Sequence, residues 1–313
     1  MSGREGVEME YDVVILGSGP AGLQAAVHAA RAKVKVAVLG RMQSSSLYKA
    51  HIENYCCINS TISGEAVLTE GRNQAERFGA RVMDVDVLSL ARDDDSRFRI
   101  NLESGETLLA WSVILAMGVS RNKLNVRGEK ELLGRGVSYC VDCDANFFRN
   151  QAVAVVGAGS AAASGALRLL LTAKEVHLVC NRLEISEHLR YQIECSSIKL
   201  HESCVKMILG ETEVEGLQLE SGEKIDVNGV FIELGAKGAI ELASVLGVAL
   251  DPATMRYVAV NKKQETNVPG LYAAGDICGP PWQMAKAVGE GCVAGLEASM
   301  YARRERTKAG KAA

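Results

Sequence analysis

Two short, mostly apolar runs, each broken by a glycine-rich turn and followed by a helix of small residues, set the pattern of this chain. Tyr11-Asp12-Val13-Val14-Ile15-Leu16 runs into Gly17-Ser18-Gly19-Pro20-Ala21-Gly22. A helix over 23–31 and a second apolar strand over 34–39 follow. Much later Gln151-Ala152-Val153-Ala154-Val155-Val156 runs into Gly157-Ala158-Gly159-Ser160-Ala161-Ala162, followed by another small-residue helix and a strand over 175–179. Unbroken apolar strands are those covered on both faces of a parallel sheet. Between the two units, 63–79 has helical spacing (Ala66, Leu68, Gln74, Phe78), and strands are predicted over 80–87, 98–102 and 111–116, the last stopped at Gly118. Asp93-Asp94-Asp95 reads as a solvated hairpin tip rather than a metal site. A strand over 229–234 closes the second unit; Gly270-Leu271-Tyr272-Ala273-Ala274-Gly275-Asp276 and a helix over 283–300 end the chain.

Each glycine turn has the strand–turn–helix setting of a dinucleotide-binding fingerprint. The first glycine makes the tight turn, the second lets backbone amides approach a pyrophosphate, and the third lets helix and strand pack closely. The helix N-terminus then offers oriented N–H groups to phosphate. In the second unit Ala162 takes the third glycine's place, which the fingerprint tolerates. The first unit lacks the ribose-binding acid expected about 20 residues on; its second strand ends in Gly40-Arg41-Met42, so the ribose must be held otherwise. The expected fold is therefore α/β, with two Rossmann-like dinucleotide-binding domains, the second inserted into the first. The boundaries are placed at 1–119 with 246–313 for the first domain and 120–245 for the second.

Length and composition agree with two soluble domains. The chain has 313 residues, 48% of them hydrophobic, and 35 basic residues face 38 acidic ones. That balance carries no nucleic-acid footprint. No run reaches the ~18 apolar residues of a membrane span, and the polar N-terminus has no secretory signal. The basic end, Arg303-Arg304-Glu305-Arg306-Thr307-Lys308, reads as a frayed solvated tail. Nine cysteines, an odd number in a long chain, point to a reducing cytoplasm rather than a disulfide framework. One pair stands out: Cys140-Val141-Asp142-Cys143-Asp144, just before the second glycine unit. A C-x-x-C can be a redox pair, half of a zinc site or an ordinary loop. The remaining cysteines offer no second C-x-x-C, which disfavours zinc. Cys56-Cys57 reads as two packed thiols in a loop.

Together, G-S-G-P-A-G at 17–22, I-E-N-Y at 52–55, A-M-G at 116–118, C-V-D-C-D at 140–144, G-A-G-S-A-A at 157–162, Y-A-A-G-D at 272–276 and Q-M-A-K-A-V-G-E-G at 283–291 resemble the low-molecular-weight thioredoxin reductase family. The resemblance spans nearly the whole chain. It implies FAD on the first domain, held by Gly17, Ser18, Gly19, Pro20, Ala21 and Gly22, with Asn54, Gly118, Asp276, Gln283, Met284 and Ala285 as further contacts. It implies a homodimer, and electrons that pass from reduced flavin to a Cys140–Cys143 disulfide and on to thioredoxin or another small redoxin. Cys140 would be the outer, interchange thiol and Cys143 the inner, more buried one. Asp144 would be the acid that protonates the leaving thiolate.

The second loop implies NAD(P)H, with Gly157, Gly159, Ser160, Ala161 and Arg182 as its contacts. Its supports are thin, however. Relatives that use NADPH carry H-R-R-x-x-x-R, whose arginines clamp the 2′-phosphate; here the segment is Cys180-Asn181-Arg182-Leu183-Glu184-Ile185-Ser186. Near the flavin, Trp282 replaces a usual arginine. NAD(P)H is the expected electron donor, with reduced ferredoxin or a deazaflavin as the alternative. A small-molecule dithiol oxidase and a flavin redox sensor without turnover are the competing functions.

Overall fold

A computed structural model describes residues 8–56, 58–93, 97–119, 123–235 and 237–312. The chain divides into two compact units, Met1–Ser120 with Gly238–Ala313, and Arg121–Lys237.

The first unit contains β1 (Glu8–Leu16), α1 (Pro20–Arg31), β2 (Val36–Leu39), the short pair β3 (His51–Ile52) and β4 (Ile62–Ser63), α2 (Gly64–Arg77), β5 (Arg81–Met83), β6 (Val87–Arg92), β7 (Phe98–Leu102) and β8 (Thr107–Leu115). β1 lies between β2 and β8, parallel to both. β5 extends the parallel side, while β7 and β6 add an antiparallel meander beyond β8. The pattern of β1 follows from its position. Val14 and Leu16 enter one apolar cluster and Val13 and Ile15 the other, so the strand is apolar on both faces. The strand expected over 80–87 is two strands, because Asp84, Val85 and Asp86 turn the chain between β5 and β6.

The second unit contains β9 (Val137–Ser138), α3 (Val141–Asp144), β10 (Ala152–Val156), α4 (Ser160–Leu169), β11 (Glu175–Cys180), α5 (Glu187–Glu194), β12 (Lys199–Glu202), β13 (Val205–Leu209), β14 (Gly216–Leu219), β15 (Lys224–Asp226) and β16 (Gly229–Ile232). Its main sheet is parallel throughout, in the order β12-β11-β10-β16-β9. The antiparallel sheet β13-β14-β15 shares a core with one face of it, through Val205, Ile208, Leu217 and Ile225 against Ala154, Val156 and Val230.

The chain then returns to the first unit with α6 (Ala239–Ser244), β17 (Leu271–Ala273) and α7 (Met284–Ala312). β17 runs parallel to the second half of β8, Leu271 opposite Val113. Two dinucleotide-type units, the second inserted into the first, are the architecture the sequence implies. The return crossing falls at 237/238, not at 245/246, because Leu242 and Ala243 of α6 are buried in the core of the first unit. The basic end is helical through Ala312 rather than frayed. Ala294, Ala298 and Ala302 of α7 are buried, and Arg306 bonds both carboxylate oxygens of Asp12 at 2.8 and 2.9 Å. Of the acidic run, Asp93 pairs with Arg99; Asp94 and Asp95, like Cys57, lie outside the described residues. Among the described residues no helix is long and apolar enough to cross a membrane.

Candidate functional site

In the first unit the loop between β1 and α1 has the form of an anion cradle. Gly17 has φ +115°, and a Cβ there would stand 2.3 Å from the Ala116 carbonyl oxygen, so only glycine makes this turn. The following Ser18 is buried, and its Oγ has no hydrogen-bond partner. Burying an unpaired hydroxyl is costly, and an anion beside it removes that cost. Gly19 caps α1 without a side-chain bond, and Pro20 and Ala21 begin the helix. A Cβ at Gly19 would meet only the Ser45 hydroxyl, at 3.4 Å. A helix start without a side-chain cap, a buried hydroxyl without a partner and room at Gly19 fit the diphosphate of FAD.

The C-terminal segment reaches this loop. A Cβ at Gly275 would lie 3.0 Å from that of Ala21, which places Asp276, the next residue, near the start of α1. Asp276 is half-buried, and burial pushes its carboxyl above the usual range against the pull of Lys286. Asn54 Nδ2 donates to Gln283 Oε1 at 3.2 Å, joining segments 229 residues apart. Met284 and Ala285 begin α7, half-buried and exposed respectively. Gly118 has φ +70°, with open space where a Cβ would stand. Trp282 is 60% exposed.

Two features here escape a reading of the sequence. Lys286 Nζ donates to the Gly275 carbonyl at 2.9 Å and to Glu290 at 3.0 Å, while Glu290 accepts from Gly275 N at 2.8 Å. The four-residue spacing of Lys286 and Glu290 is the one signal of it along the chain. At the end of β2, Arg41 pairs with Asp86 at 2.5 Å and with buried Glu103. Acids do stand at this strand end, but they arrive from distant segments and an arginine covers them.

The second glycine loop is built differently. A Cβ at Gly159 would stand 2.5 Å from the Gly235 carbonyl oxygen, and Ala161 N donates to that oxygen at 3.2 Å. The chain's own backbone thus takes an N–H at the start of α4. Gly157 N bonds Val179 O at 3.0 Å, and Ser160 is fully buried. Arg182 is exposed beyond β11.

Cys140 and Cys143 form a disulfide, with 5.3 Å between their Cα atoms. Cys140 caps α3, and its Sγ accepts from Cys143 N at 3.1 Å. Cys143 is exposed and Cys140 half-buried, the reverse of the expectation, because the capping sulfur is folded under the first turn. Ser138, which the sequence does not flag, accepts from Cys140 N at 3.0 Å and donates to Asp144 Oδ2 at 2.6 Å. Two other thiols contrast with this pair: burial pushes Cys180 up to about 11 and Cys278 up to about 12, so both stay protonated.

Two dinucleotide-type glycine turns, one open as a cradle, and a disulfide on an exposed turn define a dinucleotide-dependent disulfide oxidoreductase, and the comparisons place the chain more narrowly. Residues 11–291 match the pyridine nucleotide-disulphide oxidoreductase family. The chain is 35% identical to the thioredoxin reductase of Mycolicibacterium smegmatis, over 93% of this chain and 96% of that one. It is 36% identical to a bifunctional thioredoxin reductase/thioredoxin of Mycobacterium leprae, over 94% of this chain and 66% of that longer one. Among solved structures, the atypical thioredoxin reductase TRi of Desulfovibrio vulgaris Hildenborough superposes with a TM-score of 0.82 at 36% identity, covering 94% of this chain and 98% of that one. A ferredoxin-flavin thioredoxin reductase of Clostridium acetobutylicum gives 0.67 at 33% identity, with the same coverage. The chain belongs to the pyridine nucleotide-disulphide oxidoreductases, and within them to the low-molecular-weight thioredoxin reductase family.

Proposed function

We propose that this protein reduces the disulfide of thioredoxin, or of a similar small redox protein, through Cys140 and Cys143, with FAD held by Gly17–Gly22, Asn54, Gly118, Asp276 and Gln283–Ala285. The observation that carries the proposal is the disulfide across α3, with a backbone N–H directed at Cys140 Sγ. An amide donor favours thiolate over thiol and makes Cys140 the better nucleophile. Bound FAD would supply two electrons per turnover to this pair. The Cys140 thiolate attacks the target disulfide, and one target sulfur leaves as a thiolate and takes up a proton. Cys143 then attacks the Cys140 sulfur; the second target sulfur leaves and takes up another proton, and the Cys140–Cys143 bond is restored. Two electrons and two protons have moved. Asp144, held by Ser138, is the proposed proton donor to the leaving sulfur. Phe147, 78% exposed three residues beyond Asp144, gives the partner an apolar foothold.

The reading includes a cytoplasmic homodimer; the apolar hollow between α1 and α2, walled by Leu23, Val27, Ile58 and Val67, supports a second copy as its cover. As for the small-molecule oxidase, the hollow beside α3 is walled by Asp142, Asn146, Arg168 and Leu171 and by neither cysteine, so it offers that reading no site over the sulfurs. The electron donor expected from the G-A-G-S-A-A loop is NAD(P)H, on Gly157, Gly159, Ser160, Ala161 and Arg182. The Gly235 carbonyl on Ala161 N favours a second reading, a reduced protein carrier or deazaflavin that needs no phosphate cradle. A relative described as a ferredoxin-flavin thioredoxin reductase supports it.

The test is anaerobic. Flavin bleached by a competent donor should be reoxidised by oxidised thioredoxin. Cys140→Ser and Cys143→Ser should each lose at least about a thousandfold of this turnover, as expected when a covalent step is removed. Turnover that survives Cys143→Ser refutes the exchange centre. Bleaching by NADH or NADPH at micromolar concentration refutes the carrier reading.

A further inference from the structure

Asp142 stands between the two cysteines, and the structure places charge around this turn from two other segments, α4 and the stretch after β16. Lys237, 8% exposed, donates from Nζ to Asp142 Oδ2 at 2.6 Å. Arg168 of α4, 55% exposed, stands 2.9 Å from Oδ1. Glu233 Oε1 accepts from Val141 N at 3.0 Å, and Asp144 lies across the turn on Ser138. The exchange steps above use neither Asp142 nor Lys237. A buried lysine against a half-buried carboxylate is weak evidence of stabilisation, since desolvation can cancel the attraction.

We propose that Asp142 and Lys237 form a charge-compensating pair that sets how readily the Cys140–Cys143 dithiol ionises. The proposal rests on the function proposed above. The disulfide carries no charge. Its reduction by two electrons and two protons gives two thiols, and loss of one proton leaves a thiolate. A fixed charge nearby therefore acts on the reduced form and hardly on the oxidised one. Asp142 alone would oppose the thiolate; Lys237 alone would favour it. Held together in a water-poor site they nearly cancel, and the backbone amide on Cys140 together with the carboxylates of Asp144 and Glu233 is left to set its ionisation. Arg168 is solvated and acts weakly.

The consequence is a sign pattern that a purely structural ion pair does not produce. The dithiol of the anaerobic, fully reduced holoenzyme would be alkylated with iodoacetamide across a pH series, and the rates at Cys140 and Cys143 read by peptide mass. Asp142→Asn should move the midpoint of the pH–rate profile down by about one pH unit, and Lys237→Met should move it up by a similar amount. That is a roughly tenfold change in the thiolate-to-thiol ratio in each direction. The double variant should return close to wild type, Lys237→Arg should not move, and Arg168→Gln should shift upward by less than Lys237→Met. Since exposed Arg168 can be replaced without disturbing the fold, its shift remains readable if a single variant at the buried pair fails to fold. Midpoints that move the same way in both single variants, or an unchanged midpoint in Lys237→Met, overturn the inference. If the wild type turns over thioredoxin but the shifts share a sign, this inference alone fails. If the shifts oppose one another but the wild type never reduces a protein disulfide, the function proposed above fails and the pair keeps its role.

Discussion

The two glycine turns carry nearly the same letters, G-S-G-P-A-G and G-A-G-S-A-A, and become different sites. In the first, Ser18 Oγ is buried without a partner, and among the described residues a Cβ added at Gly19 would meet only a serine hydroxyl. Among the described residues no backbone carbonyl takes the N–H of Ala21. In the second, the equivalent amide, that of Ala161, donates to Gly235, and the same carbonyl stands over Gly159. A fingerprint specifies a turn and a helix start. Whether the amides face a ligand or the chain's own backbone is decided by a segment about 75 residues further on, which the fingerprint does not contain.

The largest effect should come from breaking each turn at the glycine its cradle depends on. Gly17→Ala forces a Cβ against the Ala116 carbonyl at a positive φ, and purified protein should retain less than about a tenth of the wild-type flavin, read by absorbance near 450 nm; losses of this size follow from strain at a special backbone position. Gly159→Ala also clashes with backbone, but in the loop the flavin does not need. Its flavin content should match wild type. Equal flavin loss in the two would erase the distinction between the cradles.

A smaller effect is expected at Ser18. Replacing it by alanine removes one hydroxyl donor to a diphosphate, a loss of about 1.5 kcal/mol, or roughly tenfold in FAD affinity. Titration of the deflavinated protein with FAD measures it. Arg182→Ala is the counterpart in the second unit. With the cradle closed, donor-dependent bleaching should change by less than about threefold, the scale of an exposed charge; a tenfold loss with NADPH would show that the second loop opens to its nucleotide.

Much of this contrast is legible in the amino-acid sequence. Strand, turn and helix can be placed around both fingerprints because apolar runs and glycine spacing are local. The inserted order follows from a strand-like run over 270–274 that comes after the second unit has closed. The boundary near 237 is not legible, because α6 has an ordinary amphipathic sequence and only its packing assigns it to the first unit. The resemblance inverts the relative exposure of Cys140 and Cys143; a cap hydrogen bond to one sulfur decides it. Asp142 is only a letter in a motif along the chain, because its partner, Lys237, lies 95 residues away in a segment without a pattern. Local periodicity sets the frame, and long-range polar pairing supplies most of what distinguishes the two halves.

The smallest predicted difference lies in the sheets behind the two turns. β2 is apolar along its length, whereas the equivalent β11 carries buried His177. His177 Nε2 meets Glu175 at 2.8 Å, and its Nδ1 lies 2.9 Å from His201 Nε2, the rings stacked; His201 in turn faces Glu223, and Lys199 bonds Glu175. Burial holds His177 below the ordinary histidine value of 6.5, outweighing the pull of Glu175, with His201 and Lys199 acting in the same direction as burial. The unfolded chain therefore binds a proton at a pH where the folded chain does not. The contribution to stability is fully present above about pH 6.5 and is lost as pH falls toward the lowered folded value. Hydrogen exchange at pH 7.5 and 5.5, corrected for intrinsic rates, should show protection of residues 175–180 falling on acidification more than that of residues 36–39. In His177→Gln that pH-dependent difference should shrink, whatever the variant does to overall stability, because the titrating ring is gone and the hydrogen-bonding length is roughly kept. If acid loosens both sheets equally, or if the glutamine variant keeps the full difference, then the histidine chain is only packing, and the two halves differ in their loops alone.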